Sequence, residues 1–491
     1  MTEIAVGIDD LSFATSHFVL THAELAEQYG VDLAKYHVGI GQEAMSILAP
    51  DEDIVTLAAA AAAPVIAEAD EIRTVLLATE SGVDQSKASA VHVAELLGLP
   101  TAIRCIELKQ ACYGGTGALQ LATALVRSDP KERVLVIASD GAKYDIGSSG
   151  EPTQGAAAVA MLVTARPRLL RLEKPTGLYT SDIFDFWRPN YRSTPLVDGK
   201  GSIAAYLDAV SATWADYRSR GGREFEEFAA ICYHQPFTKM AVKAHEHLAK
   251  VVGASVADSA VSLAPTIAYN RFVGNSYTAS LYVALASLLD HRDDLDDRLI
   301  GLFSYGSGCV AEFFGASVVR GYRQRIRTEA HRAAVARRAP IGYTDYRTLH
   351  ERAIIDADGV HQIPRVTAAP YRMAAMTEIT RGINLHRIVS VEMHHHRCIL
   401  GDAYPEGDCD EFDGLGHLAR PHYSCAAADL GEAADPGKFA VAGRPRAVGS
   451  VRISGATAER RRRLGVHRSV VTGGTSPGGG MRPPHPRLPA G

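Results

Sequence analysis

Residues 107–119 read ELKQACYGGTGAL, and the order of residue types in that stretch sets the fold that the rest of the chain must fit. Ile103 to Leu108 has the length and apolar character of a short buried strand, and Gly115 to Val126 carries apolar residues at helical spacing. Cys112 therefore falls at a strand-to-helix junction. The dipole and free N–H groups of a helix N-terminus favour a thiolate, so this position is expected to lower the cysteine pKa and raise its nucleophilic fraction at neutral pH. Gly114, Gly115 and Gly117 leave room for a substrate against the backbone. Taken alone, the segment also fits an ordinary buried cysteine, the commoner fate of an isolated one.

Phe228 to His234 (FAAICYH) is a second apolar run ending in a chemically capable residue, and Phe237 to Ala249 (FTKMAVKAHEHLA) continues as an amphipathic helix. Strand, reactive residue and helix thus recur, with His234 in the place of Cys112. The repetition predicts two related halves, each delivering one group to a shared cleft at the ends of parallel strands, where α/β folds build their sites. In YNRFVGNSYTASLYVALASLL (269–289), Asn275 stands before a strongly apolar helix. The residues there fit a helix cap as well as a site group. TVLLATESGVDQSKASAVHVAELLGL (74–99) runs a buried strand, Val75 to Ala78, into Glu80, and a helix opens near Ser86. A carboxylate at the tip of a buried strand is poorly solvated, which raises its pKa and suits it to proton transfer near neutrality. A helix-flanking surface glutamate is the other reading.

A cysteine, a histidine and an asparagine in that order resemble the condensing enzymes of the thiolase superfamily. ATESGVDQSKA, ELKQACYGGTGAL, YHQPFTKMAVKA, VGNSYTASLY and FSYGSGCVAEFF together resemble the hydroxymethylglutaryl-CoA (HMG-CoA) synthases of the bacterial mevalonate-pathway type. DEDIVTLAA, SDGAKYDIGSSGEPTQGAAAVAML (139–162) and SDIFDFWRPNYRSTPLVDG (181–199) follow the same family in order and spacing, and the resemblance covers Ile4 to about Ile388. It implies an α/β fold, a thiolase-like α-β-α-β-α sandwich of two related halves. Residues 1–165 would carry Glu80 and Cys112, and residues 166–390 His234 and Asn275.

The resemblance further implies an acyltransferase that condenses acetyl-CoA with acetoacetyl-CoA and water to give HMG-CoA and CoA, serving isoprenoid biosynthesis. Cys112 would accept the acetyl group, Glu80 act as general acid and base, and His234 bind and polarise the second substrate with help from Asn275. Backbone N–H groups of Cys112 and Ser307, the latter in the YGSG turn, would hold the developing oxyanion. Asp140, Tyr144 and Asp185 match further family site positions, although Asp185 also reads as a strand-end or turn carboxylate. Lys239 and Lys243, four residues apart and so on one helix face, would meet the pantetheine-phosphate arm of CoA, or else form a solvated pair. The family reaction needs no cofactor, because the thioester supplies the activation, and the core calls for no metal. A homodimer is the family expectation. Three alternatives stand beside this reading: a related synthase acting on acyl-carrier-protein substrates in polyketide β-branching, a decarboxylating or thiolytic condensing enzyme, and a non-catalytic thiolase-like scaffold. Glu80 in ATESGVD argues against the second.

Composition accords with a soluble, cytoplasmic enzyme. The chain has 491 residues, of which 46% are hydrophobic, enough to bury a large core or two. A net charge of -5 points to no nucleic acid or other polyanionic partner. No signal-type segment opens the chain, and the alanine run AAAAAAP (58–64) is too short to span a bilayer, so no membrane association is expected. Seven cysteines without small-domain spacing suit a reducing compartment. Two insertions are expected in the second half, Tyr191 to Trp214 and a polar helix over Arg323 to Arg338 whose charges read as a solvated face. A weakened final strand falls in residues 371–391, and residues 391–491 read as a low-complexity, disordered tail. Within that tail, HHHRC (394–398), Cys409 and Cys425 lack the paired spacing of a zinc site, and ERRRR (459–463) reads as accessory.

Overall fold

Long runs of β-branched and small apolar residues form the centre of the fold, because a strand buried on both faces has no polar alternation to keep. A computed structural model describes residues 4–69, 71–255, 259–352, 360–378 and 385–391. Its main sheet contains β1 (Val6–Thr15), β2 (Thr74–Ala78), β3 (Arg104–Leu108), β4 (Val134–Gly141), β5 (Ala156–Ala165), β6 (Leu170–Thr180), β7 (Phe228–Tyr233), β8 (Leu299–Gly306) and β9 (Val310–Val318), in the order β7-β8-β9-β6-β1-β5-β4-β2-β3. β2 runs parallel to β3 and β4, and β7 parallel to β8, while the remaining neighbours are antiparallel.

The two sheets of the expected sandwich are joined edge to edge. Only two residue pairs make the join, Gly7 with Arg171 and Ile8 with Leu170. Gly7 has to be small there, since a Cβ on it would lie 2.0 Å from the Leu170 carbonyl oxygen.

Helices make three layers around the strands. Between the halves lie α3 (Gly114–Ser128) and α6 (Ser280–His291). α6 is buried at every position except His291, as an all-round apolar helix requires. Leu281, Leu285, Leu288 and Leu289 join one core with Leu119 and Ala122 of α3, and full burial of each leucine contributes roughly 1.5–3 kcal/mol. The outer face of the first half is covered by α1 (Ile54–Ile66) and α2 (Ser89–Leu96), that of the second by α4 (Gly199–Ser219) and α5 (Thr238–Val252). The alanine run lies within α1, which starts at an Asp53–Thr56 capping box.

Chain order exposes the duplication. β1-α1-β2-α2-β3-α3-β4-β5 is repeated as β6-α4-β7-α5-α6-β8-β9, with the helices Ser259–Ile267 and Asn270–Val273 where β3 would recur. This corrects the expected correspondence of Cys112 with His234. Glu80 after β2 corresponds to His234 after β7, and Cys112 before α3 corresponds to Asn275 before α6. An apolar run ending in a polar residue looks the same in sequence at both kinds of junction. Residues 199–214 are likewise no insertion, because they belong to α4, the counterpart of α1. The polar segment 323–338 is not one helix: a 3-10 turn at Tyr322–Gln324 is followed by an α-helix over Thr328–Ala336.

Beyond the main sheet, strands Val360–Gln362, Tyr371–Glu378 and Leu385–Val391 make a separate antiparallel sheet instead of one final core strand. Asp51 ties this region to the start of α1. Its carboxylate accepts the Val366 N–H at 2.8 Å, and its carbonyl accepts the Met373 N–H at 2.8 Å. The HHHRC cluster, Cys409, Cys425 and ERRRR lie outside the described residues. Among the described residues no helix is long and apolar enough to cross a membrane, and no group of three or more His, Cys, Asp or Glu side chains is arranged to hold a metal.

Candidate active site

The chemically capable residues collect at the C-terminal ends of β2, β3, β7 and β8, where parallel strands deliver their following loops to one side of the sheet. Cys112 sits in the turn between β3 and α3. Ala111 before it has φ 41°, an uncommon left-handed conformation for a residue with a Cβ. The turn closes with Tyr113 N–H donating to the Gln110 carbonyl at 3.1 Å and Gly114 N–H to that of Ala111 at 3.2 Å. The thiol donates to Glu80 Oε1 at 3.2 Å.

That contact revises the expected ionisation of the Cys112 thiol. Burial, and then the negative charge of Glu80, push the Cys112 thiol well above its ordinary value of 9.0. The helix N-terminus does not win, because a desolvated thiolate beside a carboxylate costs more than the dipole returns. Glu80 follows its expected direction. Burial and the neighbouring Asp140 charge push its carboxyl up to about 8, while the Cys112 hydrogen bond and the Arg188 charge hold it from rising further. The two side chains act as one proton-sharing pair.

Asp140, the last residue but one of β4, is fully buried. One carboxylate oxygen accepts from Thr79 Oγ1 at 2.8 Å and from the N–H groups of Glu80 and Ser81 at 2.9 Å, and the other from Thr278 N–H at 3.1 Å. It therefore fixes the Glu80 loop and the turn before α6, and its side chain does not line the cavity. Asp185 has a comparable task. It accepts from Gly308 N–H at 3.1 Å, Tyr305 Oη at 2.9 Å and Ser202 Oγ at 3.2 Å, holding the Tyr305–Gly308 turn from behind. Both carboxylates are buried because backbone and hydroxyl donors satisfy them.

His234 leaves the end of β7 with its N–H on the Phe303 carbonyl at 2.8 Å, and Tyr206 Oη donates to its own carbonyl at 2.7 Å. Burial pushes the imidazole down to about 3, so it is neutral at physiological pH. Its Nδ1 is buried without a hydrogen-bond partner among the described residues. Asn275 is not the cap of α6, whose N-cap residue is Ala279. Its Oδ1 accepts from Tyr277 N–H at 3.0 Å, and its Nδ2 donates to Tyr144 Oη at 3.5 Å. Ser307 follows β8 and accepts from Gln110 Nε2 at 3.5 Å, so this turn meets the Cys112 turn directly.

A cavity of about 580 Å³ joins these groups. Cys112, Tyr144, His234, Asn275 and Ser307 form its polar wall, and Phe186, Tyr206, Met240 and Tyr277 much of the apolar one. Glu80 reaches it through the thiol. Of the two expected lysines only Lys243 lines the cavity, with Nζ 5.9 Å over the Phe237 ring. Lys239 is absent from the wall, although its N–H donates to the carbonyl of the wall residue Ile40; four residues at about 1.5 Å each along α5 separate the two lysines by about 6 Å. Lys200 at the start of α4 lines the cavity instead.

Two contributors carried no separate signal in the sequence. Arg188 donates to the Glu80 carbonyl from the loop after the short strand Phe186–Trp187. Tyr206 comes from the middle of α4. A lone arginine or an apolar helix position says nothing until the fold brings it to a site.

Fold and residues together define an acyltransferase of the thiolase-like α/β class. The family model for the hydroxymethylglutaryl-coenzyme A synthase N terminal matches residues 3–167, and that for the C terminal matches 171–258 and 246–338. A hydroxymethylglutaryl-CoA synthase of Enterococcus faecalis is 42% identical over 352 residues, covering 70% of this chain and 91% of that protein. A polyketide biosynthesis 3-hydroxy-3-methylglutaryl-ACP synthase of Bacillus subtilis is 32% identical over 371 residues, covering 70% and 88%. A crystal structure of an HMG-CoA synthase complexed with CoA superposes with a TM-score of 0.72 at 41% identity, over 76% of this chain and 97% of that one. The chain belongs to the hydroxymethylglutaryl-CoA synthase family.

Proposed function

We propose that the chain condenses acetyl-CoA with acetoacetyl-CoA and water to give HMG-CoA and CoA, in the mevalonate route to isoprenoids. The observation that carries this reading is the Cys112 thiol 3.2 Å from the Glu80 carboxylate at the wall of the cavity. The thiol proton passes to Glu80 as sulfur attacks the acetyl carbonyl; the bond to CoA sulfur breaks and the proton leaves with CoA, which yields acetyl-S-Cys112. Glu80, again a carboxylate, then takes a proton from the acetyl methyl. The resulting carbon nucleophile adds to the C3 ketone of acetoacetyl-CoA, and the carboxyl returns the proton to the tertiary alkoxide. Water hydrolyses the Cys112 thioester, and HMG-CoA departs with the thiol restored.

Neutral His234 hydrogen-bonds the thioester region of acetoacetyl-CoA, with Asn275 and Tyr144 beside it. The N–H groups of Cys112 and Ser307 face the acetyl oxygen as charge develops there. Lys243 and Lys200 meet the phosphate-bearing arm. Asp140 and Asp185 act on substrate only through the loops they hold. The reaction as written needs no cofactor and no metal, and a cytoplasmic homodimer is the assembly this reading carries.

A carrier-protein substrate is the competing reading, favoured by the B. subtilis relative named for ACP. The higher identity to the E. faecalis relative supports free CoA thioesters. Purified chain given labelled acetyl-CoA and acetoacetyl-CoA should yield HMG-CoA by mass spectrometry. Turnover with acetyl- and acetoacetyl-carrier protein and none with the CoA esters would reject the CoA reading.

A further inference from the structure

Glu312, near the start of β9, is 2% exposed, and the reaction above makes no use of it. Its carboxylate accepts from Tyr113 Oη at 2.8 Å and from Gln120 Nε2 at 2.8 Å. Burial pushes the carboxyl up to about 7, against the pull of the donors that face it. Burying a carboxylate is costly, and an apolar side chain would fill the same volume without that cost. What distinguishes the carboxylate is the set of donors it holds. Thr176 reaches it from the neighbouring strand β6, whereas Tyr113 and Gln120 belong to the other half of the molecule, and Tyr113 is the residue immediately after Cys112.

The Cys112 turn needs such an anchor. With Ala111 at φ 41° it sits in a sparsely populated conformation that persists only when its surroundings over-determine it. From one side the end of β8 closes on it, where a Cβ on Gly306 would lie 2.5 Å from the Gln110 carbonyl oxygen and 2.6 Å from Tyr113 N. From the other, the Tyr113 ring lies across Gly117, 3.3 Å from where its Cβ would be, and ends on Glu312.

We propose that Glu312 is a positioning residue for the nucleophile: through Tyr113 it holds the Ala111–Tyr113 turn so that the Cys112 thiol stays within reach of Glu80. The proposal rests on the acetyl-transfer role given to Cys112 above.

The test measures the rate of Cys112 acetylation from labelled acetyl-CoA, at saturation, in the full chain and in Glu312→Gln, Tyr113→Phe and the double variant. Misplacing a reacting group by about 1 Å costs up to about 10²-fold, so each single variant should acetylate roughly 10- to 100-fold more slowly, with its KM for acetyl-CoA little changed. The double variant should be no slower than the worse single, because both substitutions remove one link. A purely structural carboxylate would lower the melting temperature and leave the rate of the folded protein unchanged. Wild-type acetylation in Glu312→Gln, or losses that multiply in the double variant, would overturn the proposal. Should Glu312→Gln not fold, wild-type acetylation in Tyr113→Phe overturns it alone. An unsubstituted chain that takes up no acetyl group rejects the proposed function and this inference together.

Discussion

On the proposed mechanism, the proton shared by Cys112 and Glu80 sets how the rate responds to pH. Acyl transfer needs the pair to have lost one proton, and with the Glu80 carboxyl pushed up to about 8, the acetylation rate should climb through about pH 8 and level above it. A stopped-flow or quench profile that is flat from pH 6 to 9 would contradict this. Linkage gives a stability counterpart. Because the folded-state pKa lies above the ordinary carboxyl value of 4.5, the stabilisation from protonated Glu80 is complete below 4.5 and is lost as pH rises through about 8. Glu80→Gln, which keeps the shape and cannot ionise, should therefore melt higher than wild type at pH 9 and show no such advantage at pH 4. In catalysis the order reverses. Glu80→Ala loses both the base for the acetyl methyl and the acid for the alkoxide, so HMG-CoA formation should fall by at least about 10⁴-fold. Acetylation loses its acceptor for the thiol proton but gains a thiol freed of a carboxylate that opposes its ionisation, so it should fall less, and acetyl-enzyme should accumulate. Cys112→Ser should form no acetyl-enzyme at all, because a hydroxyl is far less ionised than a thiol; acetyl label on Cys105, Cys232 or Cys309 in that variant would move the nucleophile.

Among the elements, the contact of α3 with the start of α6 sets how closely the Cys112 and Asn275 junctions approach. Gly115 permits it: a Cβ there would lie 2.8 Å from the Thr278 carbonyl and 3.0 Å from a Tyr282 ring carbon. Thr116 Oγ1 and Tyr282 Oη, 2.8 Å apart, tie the same crossing. Since neither backbone can retreat without moving Cys112 or Asn275, Gly115→Ala should destabilise the fold by about 1–3 kcal/mol. Thermal unfolding reads this directly, and an unchanged melting temperature would mean that the helices are free to separate.

For the molecule as a whole, every residue of the cavity wall falls between Gly39 and Ser307, and the parts that hold them end with the sheet anchored on Asp51. A chain ending at Val391 keeps all of these backbone and side-chain bonds. Its acetylation and condensation rates should stay within about twofold of the full chain, since every residue of the cavity wall precedes the cut. A folded but inactive truncation would give residues 392–491 a part in building the site.

Much of this architecture is legible in the order of the residues. The strand before Glu80, the strand and helix flanking Cys112, and the apolar helix after Asn275 all follow from local periodicity, because burial of a strand or helix face depends on residues a few positions apart. The raised carboxyl of Glu80 follows too, since an apolar strand must carry its tip into poor solvent. Tertiary structure alone decides the rest. Pairing Glu80 with His234 and Cys112 with Asn275 requires the sheet order, and the roles of Asp140 and Asp185 require knowing which backbone N–H groups point at them. The protonated state of Cys112 is decided the same way: Glu80, 32 residues earlier in the chain, outweighs the helix that follows the thiol. Charges and hydrogen bonds act through space at a few ångströms, and only the folded chain says which residues those ångströms join.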